Sequence, residues 1–152
     1  MSDARGEISN LIYSYAERMD AGDLAGVARL FEHAIYRAGD GPPLTHADVE
    51  RVNRELVVLH EDGTPRTKHL TTNLRIELDQ PGGTATCRSY FTVVQGVEGA
   101  PLQPIVAGRY HDRFERVAGA WRFAERRIHV DLVGDVSRHL RIPLQPSPSA
   151  AR

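Results

Sequence analysis

A single cysteine, Cys87, in a chain of 152 residues rules out an intrachain disulfide framework and any thiolate-bound metal cluster, and suits a reducing cytoplasm. No apolar run approaches the roughly 20 residues that span a bilayer. Asp3, Arg5 and Glu7 stand where a secretion signal would need an apolar stretch. An excess of one charge is missing too: 19 Lys and Arg face 20 Asp and Glu, which leaves no basic footprint for nucleic acid or an anionic membrane. No glycine-rich loop follows a strand pattern and opens a helix, so the common phosphate-binding motifs are absent. Gly-x-Ser-x-Gly is absent as well, and Ser89 falls in mid-strand without support as a hydrolase nucleophile. These absences predict a soluble cytoplasmic protein with neither nucleic-acid nor membrane partners.

What is present is enough apolar sequence, 41% of residues, for one domain with a real core. Ile8, Leu11, Ile12, Tyr15, Ala16 and Met19 repeat at the spacing of one helical face, predicting a helix over 7–20 with Asp20 at the edge of that face. Gly22 interrupts it, and Asp23 caps a second helix carrying Leu24, Val27, Ala28 and Phe31. A short strand is expected over Ala34 to Ala38. Thr45 with Asp48 reads as a capping box for a third helix running to about Leu59. From Lys68 the period becomes strand-like, in four runs over 68–79, 84–95, 105–117 and 120–133, with turns at Pro81-Gly82-Gly83 and Ala118-Gly119. Helices followed by a meander predict an α+β fold, the helices covering one face of a curved antiparallel sheet. The domain is expected over 7–142, between a flexible N-terminus (1–6) and a flexible or partner-draped tail (143–152).

The chemistry-bearing pair is Asp20 and His69. A neutral imidazole can take a proton near neutral pH, and a carboxylate behind it sets the tautomer and stabilises the imidazolium. Taken alone, each also has a plain structural role, Asp20 as a helix-end cap and His69 as a strand histidine. Parity raises a difficulty, because His69, Thr71 and Asn73 share one strand face while Leu70, Leu74, Ile76 and Leu78 carry the apolar one; a bulge near Thr71-Thr72 would reconcile them. Tyr15 lies little more than one helical turn before Asp20 and can share its rim. His33, His46, His60 and His139 read as solvated residues of helix ends and loops. His111 and His129 lie on strands, with Asp112 and Asp131 nearby, in a spacing that matches no established metal motif.

The segment His69-Leu-Thr-Thr-Asn-Leu-Arg-Ile-Glu77, then Gly108-Arg-Tyr-His-Asp-Arg-Phe-Glu-Arg116 and Gly119-Ala-Trp121, resembles the SnoaL-like group of the nuclear transport factor 2 superfamily over about residues 7–135. The resemblance implies a cone of curved antiparallel sheet with three helices. It extends to hexachlorocyclohexane dehydrochlorinase, scytalone dehydratase and bile acid 7α-dehydratase, and so implies base-assisted elimination by His69 with Asp20. It further implies Arg126, after the Gly-x-Trp turn, as the electrostatic stabiliser, Tyr15 as a hydrogen-bond donor, and no cofactor or metal. The chain departs from these relatives at three points. The dehydrochlorinase has lysine in place of Tyr15, scytalone dehydratase has tyrosine in place of Met19, and its second catalytic histidine lacks an equivalent in Thr84 to Gln95. The expected activity is a dehydratase-like lyase on a small hydrophobic, alicyclic, steroid-like or polyketide-like molecule. An isomerase or cyclase in the same pocket and a non-catalytic ligand-binding or dioxygenase β-subunit-like protein are the alternatives. A homotrimer or homodimer is the expected assembly.

Overall fold

Asp3 starts the first helix by accepting a hydrogen bond from the Gly6 amide (3.0 Å), so α1 runs Ala4–Asp20 and begins earlier than the predicted residue 7. Ala4 is buried, which corrects the expected flexible start within residues 3–6. The structure, a computed structural model, describes residues 3–148. The apolar stripe behaves as its spacing requires: Ile8, Ile12, Tyr15, Ala16 and Met19 all face the core. Gly22 ends the helix with φ +76°, and a Cβ there would collide with the Gly63 carbonyl; a side chain has neither the conformation nor the space.

Asp23 caps α2 (Leu24–Arg29) through the Gly26 amide. β1 (Ile35–Ala38) follows, then α3 (His46–Leu56) behind the predicted Thr45/Asp48 capping box. α3 ends at Leu56, short of the expected Leu59, where Val57 turns to extended backbone and bridges Leu140. The meander consists of β2 (Thr67–Asp79), β3 (Thr84–Gln95), β4 (Gln103–Val117) and β5 (Ala120–Val133). Sheet order is β1-β5-β4-β3-β2, antiparallel except that β1 runs parallel to β5 and sets Tyr36 opposite Arg126.

The helices cover the inner face of this curved sheet. On β3, Ala85, Cys87, Ser89, Phe91, Val93 and Gln95 are buried while Thr86, Arg88 and Tyr90 are exposed, the alternation of a sheet covered on one side. Phe31, Phe114 and Phe123 are fully enclosed, and each such side chain contributes roughly 1.5–3 kcal/mol of burial. Register shifts interrupt every antiparallel pairing, and such bulges bend strands and deepen their twist. At one of them Gly108 lies so near the His129 carbonyl and the Phe91 ring that a Cβ would collide with both.

The bulge in β2 decides the site. Between Thr72 and Arg75 the register slips, with Asn73 at φ +57°. Before it His69 and Thr71 stand opposite the buried Val93 and Phe91; after it Ile76 and Leu78 stand opposite the buried Cys87 and Ala85. Both halves of the strand therefore turn their chosen side chains inward. The bulge lies slightly after the predicted Thr71-Thr72.

Beyond β5 the chain folds back over the sheet and helices. Val136 is buried, Leu140 and Leu144 pack against the core, and the Ser147 amide donates to the Val130 carbonyl. Residues to Ser147 are thus tied to the domain; the rest of the expected tail, 149–152, lies outside the described residues. Among the described residues no helix is long and apolar enough to cross a membrane.

Candidate active site

Asp20 is the last residue of α1, where the helix carbonyls make a carboxylate unwelcome. Three donors offset this. His69 Nδ1 lies 2.6 Å from Oδ1, the His69 backbone amide donates to Oδ2 at 2.8 Å, and the Thr67 hydroxyl donates to Oδ1 at 2.9 Å. Burial pushes the Asp20 pKa up, but the bonds from His69 and Thr67 outweigh it and hold the carboxyl below its ordinary value. An ionised Asp20 takes a proton donor at Nδ1, which leaves the lone pair of His69 on Nε2. The two side chains are only 10% and 7% exposed.

Tyr15, one turn earlier on α1, stands edge-on to His69 with ring centres 6.2 Å apart. It also meets Tyr110 and Phe31, and its hydroxyl lies 3.3 Å from that of Tyr36. It belongs both to the apolar stripe and to the surroundings of His69. Burial raises the Tyr15 pKa and raises those of Tyr36 and Tyr110 well above the ordinary phenol, so all three hydroxyls keep their protons at neutral pH.

Arg126 is fully buried and is not a free cation. Its Nε and Nη2 donate to Asp112 at 2.8 and 2.9 Å, and its guanidinium carbon lies 3.7 Å from the Tyr110 ring centre and 4.5 Å from that of Tyr15. Burial works against the charge of each partner, yet Asp112 keeps Arg126 protonated and raises its pKa, while burial raises that of Asp112. Only Nη1 has no hydrogen-bond partner. The fold thus joins Asp20, His69 and Tyr15 directly and brings in Arg126 through the two tyrosine rings.

Several neighbours were not assigned to the site from the sequence. Asp112 shares the inward parity of Tyr110 and Phe114, so a carboxylate on an apolar strand face was the available signal. Tyr36 and Thr67 carried none, since β1 is short and Thr67 precedes the predicted strand. His139, expected to be solvated, is 6% exposed, with its ring centre 6.4 Å from that of His69. Val136 and Leu140, one turn apart in a tight turn, anchor in the core and carry the histidine inward with them.

His111 and His129 lie side by side on the outer face, ring centres 4.8 Å apart. There they border a charged cleft of about 640 Å³ that also includes Arg88 and Glu125. Neither Asp20 nor His69 lines this cleft, nor a second one of about 460 Å³ near Glu77 and Glu115. Around the dyad Tyr15 stands against His69 and Tyr110, Phe91 stacks on Tyr110, and the Arg126 guanidinium lies over the Tyr15 and Tyr110 rings. Among the described residues no group of three or more His, Cys, Asp or Glu is placed to hold a metal ion.

This shell of three helices on a bent sheet is the cystatin-like, nuclear transport factor 2-like fold, and residues 1–127 match the SnoaL-like domain. The chain belongs to that family. Among solved structures it is similar to a protein of unknown function from Mycobacterium tuberculosis, at 27% identity over 85% of this chain and 72% of that one, with a TM-score of 0.68. A candidate scytalone dehydratase from Novosphingobium aromaticivorans shares the fold at 17% identity over 97% and 93% of the two chains, TM-score 0.72. So does the β subunit of a candidate aromatic-ring-hydroxylating dioxygenase from the same organism, at 18% identity over 86% and 90%, TM-score 0.67. No curated protein matches the sequence.

Proposed function

We propose that this protein is a cofactor-independent enzyme that removes a carbon-bound proton from a small hydrophobic molecule of alicyclic, steroid-like or polyketide-like character. It would then expel an adjacent group, most simply water. The observation that carries this reading is the 2.6 Å bond between Asp20 and His69 Nδ1, because it leaves Nε2 as a base whose positive charge, once protonated, is met by a carboxylate. Such assistance is worth on the order of a hundred- to ten-thousandfold, and the remainder must come from positioning and from dipoles that meet developing charge. Tyr15 would supply a hydroxyl to the substrate or leaving group. Arg126, paired with Asp112, would act through its Nη1 hydrogens more than through net charge.

Isomerisation or aldol-type cyclisation starts from the same proton abstraction. The pairing of Arg126 with Asp112 favours keeping this second reading, since a neutralised cation gives less help to a departing anion. Incubation of purified protein with a panel of β-hydroxy ketones and β,γ-unsaturated ketones separates the two. Release of water with a new conjugated double bond supports elimination, while double-bond isomers without loss of water overturn it. No turnover, together with co-purification of an iron-containing partner chain, would favour a dioxygenase β-subunit-like role. Assembly as a homodimer or homotrimer through the outer sheet face, with exposed Leu70, Tyr90 and Leu132, belongs to the same proposal and is read by light scattering.

A further inference from the structure

His139 is held in place by its backbone on every side. Its amide donates to Val136, its carbonyl accepts from Val58, the Arg141 amide donates to Leu56, and the Arg138 carbonyl meets both Gln95 Nε2 and His60 Nε2. The ring so fixed stands beside His69, enclosed, with an Nδ1 that has no hydrogen-bond partner. Buried polar atoms of native proteins are nearly always paired, and an orphan asks for an explanation. Val136 and Leu140 lie close to it in the chain and Val57 bridges Leu140, surroundings that would accept an apolar residue. The one thing an imidazole adds there is a hydrogen-bonding edge next to the proposed base.

We propose that His139 is a catalytic hydrogen-bond donor, its Nδ1–H meeting the substrate oxygen that gains negative charge as His69 Nε2 removes the proton from the neighbouring carbon. This rests on the proton-removal reading above and narrows the substrate class to carbonyl compounds with a hydrogen on the adjacent carbon. The C–H electron pair becomes the C=C bond of an enolate, the carbonyl π pair moves onto oxygen, and the proton ends on His69, opposite Asp20. No proton leaves His139, which only donates a hydrogen bond. Such a donor must carry its proton on Nδ1 and be preorganised. Burial first, and His69 next, pull the His139 pKa down to about 4, with Asp20 opposing and His60 adding slightly; the ring is neutral at physiological pH.

A phenolate reproduces the enolate oxygen, and para-nitrophenol above its own pKa is the probe, with para-nitrotoluene as the same shape without the oxygen. The wild type should bind both. His139→Phe should weaken para-nitrophenol about tenfold or more and leave para-nitrotoluene nearly unchanged, since only a hydrogen bond to a charged oxygen is lost. His139→Asn, whose amide nitrogen replaces Nδ1, should recover most of the difference. In the wild-type complex, nitrogen-15 NMR should find the His139 proton on Nδ1. Equal weakening of both compounds, no weakening of either, or a bare Nδ1 in the complex overturns the inference and leaves the proton-removal reading standing. Failure of the wild type to bind either compound sinks that reading, and this inference with it.

Discussion

Two carboxylates lie on the inner side of the same shell, and their partners make them different devices. Asp20 holds an imidazole, a group that changes charge near neutral pH, and both side chains keep a small opening, 10% and 7% exposed. Asp112 holds a guanidinium that never gives up its proton, and both side chains are 0% exposed. The first arrangement can cycle a proton; the second can only keep charge inside an aromatic cage. A buried ion pair is weak evidence for stability, because desolvation consumes much of its attraction. The presence of Asp112–Arg126 therefore invites a role for the orphan Nη1 beyond holding the sheet together.

The sharpest way to break this contrast is at the imidazole. His69→Ala and Asp20→Asn should each lower turnover of any accepted substrate by about a hundred- to ten-thousandfold, with circular dichroism unchanged. Near-normal turnover in either variant would remove that residue from the mechanism. At the other pair the effect should fall on stability. Asp112→Ala strands a buried guanidinium and should cost about 3–5 kcal/mol in urea unfolding, whereas Asp112→Leu combined with Arg126→Met should restore most of the loss. If Asp112→Ala unfolds at the wild-type midpoint, the pair is not the closed unit described above.

Acid separates the regions again. His139 has a folded pKa of about 4, below its unfolded value, so the unfolded state binds more protons between those two values and stability falls as pH drops through that window, by roughly 3 kcal/mol. Asp20 is depressed below the ordinary 3.8; the stability it contributes is present above that value and is lost as pH falls through its lower folded pKa. Urea midpoints between pH 7 and pH 3 should show the first loss flattened in His139→Phe and the second in Asp20→Asn. A wild-type profile that is flat from pH 7 to 4 would contradict the buried, neutral His139. The smallest effect belongs to a site remote from both pairs: Thr45→Ala removes one half of the capping box and should cost about 1 kcal/mol with activity unchanged.

Much of the shell was legible because its signals are local. The β3 and β5 limits, the Asp23 cap and the Thr45/Asp48 box follow from alternation and short-range hydrogen bonding, which need no knowledge of the rest of the chain. Asp20 and His69 were a candidate pair, but their contact joins a helix end to a strand start 49 residues on; the local pattern left each a plain structural role as well, and the family resemblance favoured the contact. Asp112 was read only as a neighbour of His111 and His129, although its strand parity pointed inward. His139 was misplaced because a histidine in a polar loop is ordinarily solvated, and the bonds that bury it come from residues 56–60 and Gln95.

By itself the sequence determined which segments are helix and strand, which face of each is apolar, and which residue types are available for proton transfer. Hydrophobic spacing and capping act over a few residues, so they can be read along the chain. Only the tertiary structure decided which side chains meet. The slip at Asn73 turns His69 inward, the parallel pairing of β1 with β5 sets Tyr36 opposite Arg126, and the returning C-terminal segment brings His139 against His69. Each of these is a non-local contact, selected by the joint burial of elements far apart in sequence.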